Sequence, residues 1–315
     1  MSFTSSIKEE ISLINNTKSE MIAELSGFIR NNGYFLDETM ILTTESISTL
    51  ERVKAFIKDL YNYDVEIQVI DNLNFSKRDL YSITFDEIQD KLLKDIAYLD
   101  ENGKEIKTPP TYIVGGNEEI RSYLRGVFLS CGSINDPKTS RYHLELLIEK
   151  PDEAVFVQKL INLFDLNSKI LKRDKGYMIY IKEAEKISDF IKIIGANKAV
   201  LYYEDVRIYR DKKNQTNRLN NMEQANMDKV IQTANTQLEE IKTIEELGSI
   251  ELLDEKTRQA LEYRKKYPEV SLKELAEIIS VETGKSITKS GLNHRFRKIK
   301  ELSDRLIKLE NKKNE

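Results

Sequence analysis

The amino-acid sequence predicts an α+β protein, with a twice-repeated body followed by a smaller all-α domain. The first observation is an internal repeat, because segments 25–33 and 124–132 both carry glycine at their third and ninth positions, 99 residues apart. The second is that the same order of helix and strand patterns follows each copy. The third is that residues 246–315 carry only helical patterns.

Each copy of the repeat predicts a short helix that is closed by a C-terminal glycine. Bulky apolar residues fill its fourth and fifth places. Gly27 with Ala23, and Gly126 with Ser130, place two small residues four apart on one helix face. Small side chains allow a second backbone to approach closely, so we expect the two helices to pack against each other.

The remaining elements follow from apolar periodicity. Residues 4–14 read as a helix, with Ser5 or Ser6 as N-cap and Glu9 placed for a capping box. The first half then has strands at 40–44, 65–70 and 80–85 and helices at 48–61 and 87–98. The second half has strands at 142–148, 168–172 and 177–182 and helices at 152–163 and 184–194.

These patterns divide the chain into five parts. We expect a first half at 1–101, a linker at 102–116, a second half at 117–205, a polar connector helix at 206–245 and a C-terminal domain at 246–315. The linker carries Pro-Pro and Gly-Gly. The connector has a narrow apolar seam that would dock on one of the domains, formed by Met227, Ile231, Ala234, Leu238 and Ile241.

Composition indicates a cytoplasmic protein. A single cysteine fits a reducing compartment, and neither a signal peptide nor a membrane-spanning run is evident, so no membrane association is expected. The formal charge is −4 over 315 residues, yet residues 285–315 hold ten Lys or Arg against four Asp or Glu. A basic tail on an acidic body suggests a polyanionic partner for the tail.

The C-terminal domain has the pattern of a helix-turn-helix variant. One helix covers 254–267, a second begins after Ser271 with Glu274 completing a capping box, and a third begins near Thr288. Segment 280–287 between the last two is longer than the usual turn of about 3 to 4 residues. The third helix buries a stripe of Leu292, Phe296, Ile299 and Leu302.

Subtracting that stripe leaves a polar and basic surface that is typical of a recognition helix in the major groove. Asn293 can pair with adenine and Arg295 or Arg297 with guanine, while lysines and arginines along the sides reach phosphates. The alternative is a basic helix that is merely solvated or docks on an acidic protein. The predicted DNA-binding residues are Lys289, Ser290, Asn293, His294, Arg295, Arg297, Lys298 and Lys300.

The connector supplies a second group of polar residues. Asparagine is a poor helix former, so its abundance here is unusual. These side chains would contact DNA phosphates, hold the domains in place, or simply form a solvated helix surface. The residues concerned are Arg210, Asn214, Asn217, Arg218 and Asn221.

The repeated segments resemble the LAGLIDADG helices of homing endonucleases, whose two αββαββα halves are related by pseudo-symmetry. In active members of that family, the eighth motif position is acidic and holds divalent metal. Here those positions are Asn32 and Cys131. Neither offers the anionic oxygen that Mg²⁺ prefers, so the resemblance implies a kept scaffold without catalytic residues, metal or cofactor.

The body and tail together resemble the WhiA family of bacterial regulators. The likeness rests on segment 289–299, on Arg125-Gly126, and on segments 131–137, 142–145, 182–185 and 204–207. It implies a non-enzymatic regulator of sporulation or of cell division and chromosome segregation that binds double-stranded DNA and has no small-molecule substrate. A further partner would be another regulatory protein or RNA polymerase.

Two enzymatic alternatives remain open. A residual nuclease could use acids near the motif helices, namely Asp136, Glu145 and Glu24. However, Glu24 lies at the opposite end of its helix from Asn32. A thiol enzyme could use Cys131 as nucleophile and His143 as base, but the sequence shows no third group to orient them.

A third alternative is that the body is an architectural or protein-interaction platform, or a second DNA clamp. Residues 1–284 carry a net −10, which opposes phosphate binding unless basic residues gather on one face. The residues for such a face are Lys77, Arg78, Lys172, Arg173 and Lys175. We expect the tail to supply most of the DNA affinity.

Overall fold

The computed structural model describes residues 2–70, 79–139 and 141–312. It divides into two compact units, Met1–Asp211 and Lys212–Glu315. The basic residues Lys77 and Arg78 lie outside the described residues. Within the described part of the chain, no helix combines the length and the apolar character needed to span a bilayer.

The first unit contains two halves with the same order of elements. The first half comprises α1 (Phe3–Ile11), α2 (Lys18–Asn32), β1 (Tyr34–Leu36), β2 (Thr39–Thr44), α3 (Ile47–Tyr61), β3 (Ile67–Ile70), β4 (Leu80–Thr84), a 3₁₀ turn (Asp86–Ile88) and α4 (Gln89–Asp95). The second half comprises α5 (Asn117–Cys131), β5 (Gly132–Ile134), β6 (Leu144–Ile148), α6 (Pro151–Asn162), β7 (Lys169–Arg173), β8 (Gly176–Ile181) and α7 (Ala184–Ile193).

The strand pairing shows that the repeat covers whole half-domains. The sheets have the orders β1-β2-β4-β3 and β5-β6-β8-β7, and every pairing is antiparallel. In each central pair, two buried aliphatic residues face each other, Leu42 with Ile83 and Leu146 with Ile179. The predicted pseudo-symmetric α+β body is therefore confirmed.

Helices α2 and α5 form the centre of this unit. A β-carbon at Gly27 would collide with the backbone carbonyl of Tyr123, and one at Gly126 would collide with that of Glu24. The absence of side chains at these two positions is what lets the helix backbones come so close. The expected packing of the repeated helices is confirmed, although each helix has 15 residues and is longer than the nine-residue segment that predicted it.

One local prediction about a helix end was wrong. The N-cap of α1 is Ser2, whose side chain accepts from the Ser5 N–H, rather than Ser5 or Ser6. The prediction that glycines close the motif helices is confirmed, since Gly33 and Gly132 are the C-caps of α2 and α5, and both have extended backbones. Their role is to leave space, since a β-carbon at Gly132 would meet the Phe128 ring.

A single long helix, α8 (Asn197–Glu246), starts earlier than the expected 206 and contains the division between the units. Glu10 accepts hydrogen bonds from the backbone N–H groups of Lys198 (2.6 Å) and Ala199 (3.0 Å), which explains why the helix begins there. Only the C-terminal part of its predicted seam is buried, because Ala234 and Ile241 are about 1% exposed whereas Met227 is 61% exposed.

The second unit continues with a 3₁₀ turn (Ile250–Leu252), α9 (Glu255–Lys266), α10 (Leu272–Thr283) and α11 (Lys289–Asn311). Its apolar core joins the end of α8 to these three helices. The core residues are Ile241, Ile244, Leu253, Ala260, Leu261, Leu275, Ala276, Ile279, Leu292, Phe296 and Ile299. The predicted all-α domain is thus confirmed.

Candidate nucleic-acid interface

Helices α10 and α11 form the helix-turn-helix. The Ser271 side chain accepts from the Glu274 N–H (3.2 Å), and the Glu274 carboxylate accepts from the Ser271 N–H (2.8 Å), so the predicted capping box is present. Thr288 caps α11 by accepting from the Gly291 N–H. Because α10 continues to Thr283, the turn covers only 284–288 and is shorter than the predicted 280–287.

The eight residues predicted to contact DNA surround the exposed sides of α11. Seven of them are exposed, and Arg295 is half-buried. These residues therefore differ less in exposure than in the groups that lie beside them. The exposed seven are Lys289, Ser290, Asn293, His294, Arg297, Lys298 and Lys300.

One side of α11 faces the start of α9. Arg295 Nη1 donates to the Lys256 carbonyl (3.1 Å), and Lys298 Nζ donates to Asp254 Oδ2 (2.8 Å). The bond from Lys298, followed by the N–H of Thr257, lowers the pKa of Asp254 to about 2. Arg295 and Lys298 thus have intramolecular partners in addition to their predicted role on DNA. Sequence reasoning missed Asp254 as a partner because 44 residues separate it from Lys298.

The other side of α11 faces α8 across an open groove of about 430 Å³. Asn293, Arg297 and Lys300 line it from α11. The residues that line it from α8 are Lys229, Gln232, Thr233, Thr236, Gln237 and Glu240. Sequence reasoning expected the apolar seam of this segment to dock on a domain, but it did not single out these polar residues, since only the shared core of the unit brings them beside α11.

The predicted connector residues fall into two groups. Arg210 Nη1 donates to the Pro137 carbonyl (2.6 Å) and to that of Thr139, and its guanidinium lies 4.6 Å from the centre of the Tyr142 ring. Arg210 therefore stabilises the body. The others, Asn214, Asn217, Arg218 and Asn221, are exposed on α8.

The positions that carry acids in LAGLIDADG nucleases have other partners here. The Asn32 amide donates to the Thr43 carbonyl (2.8 Å) and accepts from the Thr43 N–H (3.0 Å), so it pairs with β2 like a short stretch of strand. Cys131 Sγ donates to the Val127 carbonyl (3.4 Å). Burial raises the pKa of the Cys131 thiol to about 11, which disfavours the thiolate that a nucleophile needs.

An ammonium group lies beside this end of α5. Lys8 Nζ, from α1, donates to the Leu129 carbonyl (2.8 Å). Burial lowers the pKa of Lys8, while the neighbouring Cys131 and Glu45 act in the opposite direction. A lysine in this place is a hydrogen-bond donor where a metal site would need anionic acceptors.

The acids considered for a residual nuclease have structural partners. Glu24 is 2% exposed, and its carboxylate accepts from Arg52 Nη2 (2.9 Å) and Arg125 Nη1 (3.0 Å). Asp136 accepts from the Tyr202 hydroxyl, and Glu145 Oε2 lies 3.1 Å from His143 Nε2. Across the described residues, no group of three or more His, Cys, Asp or Glu could hold a metal ion.

Comparisons with known proteins cover nearly all of the chain. Family models match the WhiA N-terminal LAGLIDADG-like domain at 18–99, the WhiA LAGLIDADG-like domain at 120–213 and the WhiA C-terminal HTH domain at 216–303. A "Probable cell division protein WhiA" from Staphylococcus epidermidis is 40% identical over 310 residues, covering 97% of this chain and 98% of that protein. The Bacillus subtilis protein of the same name is also 40% identical, with 97% of each chain covered.

A solved structure shares the fold over the whole length. The full-length DUF199/WhiA structure from Thermatoga maritima has a TM-score of 0.58 at 23% identity, and the match covers 97% of this chain and 99% of that one. The fold and the interface define a protein with a LAGLIDADG-like body and a helix-turn-helix domain. More particularly, the chain belongs to the WhiA family.

Proposed function

We propose that this protein is a sequence-specific DNA-binding regulator that docks α11 in the major groove and has no nuclease activity. The observation that carries the proposal is the polar and basic surface of α11 on a capped helix-turn-helix. Short polar residues lie near the start of the helix, where base edges would be read, and Arg297 and Lys300 lie further along, where they reach phosphates. The body contributes weakly to DNA affinity or binds a protein.

The side-chain chemistry of the body supports the loss of nuclease activity. Asn32 and Cys131 pair with backbone groups, and the Lys8 ammonium lies beside the end of α5. The relatives from Staphylococcus epidermidis and Bacillus subtilis are named probable cell division proteins, so we propose genes of cell division and chromosome segregation, or of sporulation, as targets. Cytoplasmic, nucleoid-associated localisation follows from this role.

A second role, as a protein-interaction platform, is favoured by the second sheet. Leu147 pairs with Met178, which pairs in turn with Leu171, so the three side chains form one row across the same sheet face. Leu147 and Leu171 are 43% and 45% exposed, whereas Met178 between them is 8% exposed. An apolar row on a sheet face suits contact with a protein, such as another regulator or RNA polymerase, better than contact with phosphates.

The test measures binding and cleavage of labelled duplex DNA by the full-length protein. We compare the wild type with a Lys289→Gln, Arg297→Gln double variant, and with a Lys192→Gln, Lys198→Gln control that removes the same charge from exposed positions of the body. Loss of two phosphate contacts should reduce the slope of log affinity against log salt by about two. A role in base reading would instead relax sequence preference.

Cleavage is followed in the same samples with Mg²⁺ or Mn²⁺. We expect intact duplex at all times. Metal-dependent cutting by the wild type would contradict the loss of nuclease activity. Equal affinity and equal salt dependence in the wild type and the α11 double variant would contradict docking through this helix.

A further inference from the structure

The second unit contains a cleft at the start of α10 that shares Lys289 with the exposed surface of α11 and has an unusual charge. Its volume is about 380 Å³. It is lined by Asn226, Lys229, Val230, Thr233, Arg264, Val270, Ser271, Leu272, Lys273 and Lys289. Four of these residues are cationic and none is a carboxylate, although acidic residues outnumber basic ones in the whole chain, 53 to 49.

Arg264 is the most informative of these residues because it is only 1% exposed. Its Nη1 donates to the carbonyls of Val270 (2.7 Å) and Tyr267 (3.3 Å), and its Nε has no hydrogen-bond partner within the described residues. Burial lowers the pKa of Arg264, and no carboxylate near it acts in the opposite direction. Arg264 nevertheless remains charged, because a guanidinium keeps its proton even when it is buried.

A buried charge without a counter-ion is unfavourable, so such groups in proteins are normally paired. The buried arginines of the body show the usual arrangement, since Arg52 and Arg125 are both paired with the buried Glu24. Arg264 instead lines a cleft with three lysines. The cleft therefore has a positive potential that an anion would relieve.

The N-terminus of α10 opens onto the same cleft. Its capping box uses the N–H groups of Ser271 and Glu274. The N–H groups of Leu272 and Lys273 thus have no acceptor within the helix, and both residues line the cleft. Exposed N–H groups and the helix dipole favour a negatively charged ligand at this end. The Glu274 carboxylate is held by the Ser271 N–H and is not part of the lining.

We propose that this cleft binds a phosphate group, held by Arg264, Lys273, Lys289, Lys229 and the first N–H groups of α10. A tetrahedral oxyanion matches both the guanidinium and the helix N-terminus. Because Lys289 also begins α11, the phosphate belongs to the DNA backbone, an assignment that rests on the proposed function. A free phosphate compound is the other source of the same chemistry.

The experiment uses the full-length protein with Lys273→Gln and Lys289→Gln as the main variants, because both lysines are exposed and their loss should not disturb the fold. Arg264→Gln is a third variant. Lys308→Gln is the matched control, since it removes one exposed charge near the far end of α11. If Arg264→Gln fails to fold by circular dichroism, the two lysine variants decide the result.

The first measurement is duplex affinity across salt concentrations. Each lysine variant should reduce the slope of log affinity against log salt by about one, and the control should not. The second is the Tm with inorganic phosphate, at an ionic strength balanced with chloride. If the source is a free anion, phosphate should raise the Tm of the wild type and the control by about 2 °C or more, and that of the variants less.

Each outcome decides one question. A smaller slope in Lys273→Gln supports a backbone phosphate in the cleft, because docking of α11 already gives Lys289 a phosphate contact but gives none to Lys273. An unchanged slope in Lys273→Gln with phosphate-dependent stabilisation supports a free phosphate compound. If neither the salt slope nor the phosphate-dependent Tm differs between the variants and the control, the cleft is not a phosphate site. If the wild type binds no duplex at all, the proposed function fails, and the phosphate titration alone decides whether the site exists.

Discussion

The two units treat their charged residues in opposite ways. In the body, the buried Glu24 is paired with Arg52 and Arg125, and the Arg30 guanidinium donates to the Ile106 carbonyl at 2.7 Å. In the second unit, the basic residues of α11 are mostly exposed, and the buried Arg264 has no acidic partner among the residues that the structure describes.

This difference distinguishes charged groups that stabilise the fold from charged groups that are available to bind a partner. A charged group that is satisfied inside the fold stabilises that fold and offers little to a ligand. Charged groups that are exposed or incompletely satisfied can interact with a partner. Within this protein, the second unit therefore carries the features of the proposed nucleic-acid interface.

The largest expected effect is the loss of the ion cluster in the body. Glu24→Ala would leave two buried guanidinium groups without their carboxylate, so we expect the free energy of unfolding to fall by about 3–5 kcal/mol. Denaturant unfolding followed by far-UV circular dichroism measures this change. Glu51→Gln, which removes an exposed carboxylate of α3, is the control. A Glu24→Ala protein as stable as the control would show that the cluster is not structural.

The second prediction concerns the ion pair between Lys298 of α11 and Asp254, the N-cap of α9. Asp254 caps α9 through the Thr257 N–H (2.9 Å), so Asp254→Ala should lower the free energy of unfolding by about 1 kcal/mol at pH 7. Because the folded pKa of Asp254 is about 2, below the unfolded value of about 3.9, its charge stabilises the protein above pH 4. That contribution is lost as the pH falls towards 2.

Asp254→Asn separates the two effects, since asparagine is a good N-cap without a titrating group. We expect this variant to be less stable than the wild type at neutral pH and to lose less stability between pH 4 and pH 2. Unfolding curves over that pH range provide the measurement. Wild-type acid sensitivity in Asp254→Asn would mean that other carboxyl groups account for the effect.

The last prediction compares a glycine of each unit, and the effect expected at the glycine of the second unit is the smallest. A β-carbon at Gly291 would make only ordinary contacts, the nearest at 3.4 Å, so Gly291→Ala should stabilise α11 by about 0.5 kcal/mol. Gly126→Ala should destabilise the body, because its β-carbon would meet the Glu24 carbonyl. Thermal unfolding of both variants tests the pair. Destabilisation by Gly291→Ala would show that this glycine, too, is required by packing.

The sequence by itself determined the repeat, the fold class and the helix-turn-helix. These features depend on local signals, namely the glycines of segments 25–33 and 124–132, the alternation of the strands and the Ser271–Glu274 capping box. Local signals also indicated which residues of α11 face outward. The signals were weaker at helix ends, where Ser2 rather than Ser5 or Ser6 caps α1.

Only the tertiary structure decided which charged and polar groups meet. Lys298 lies beside Asp254, the α8 residues Gln232 and Thr236 lie beside α11, and Arg264 lies in a cleft without a carboxylate. Each of these relations joins residues that are far apart in the chain. Periodicity shows which side of a helix is buried, but not which helix covers it, because packing between elements sets that choice.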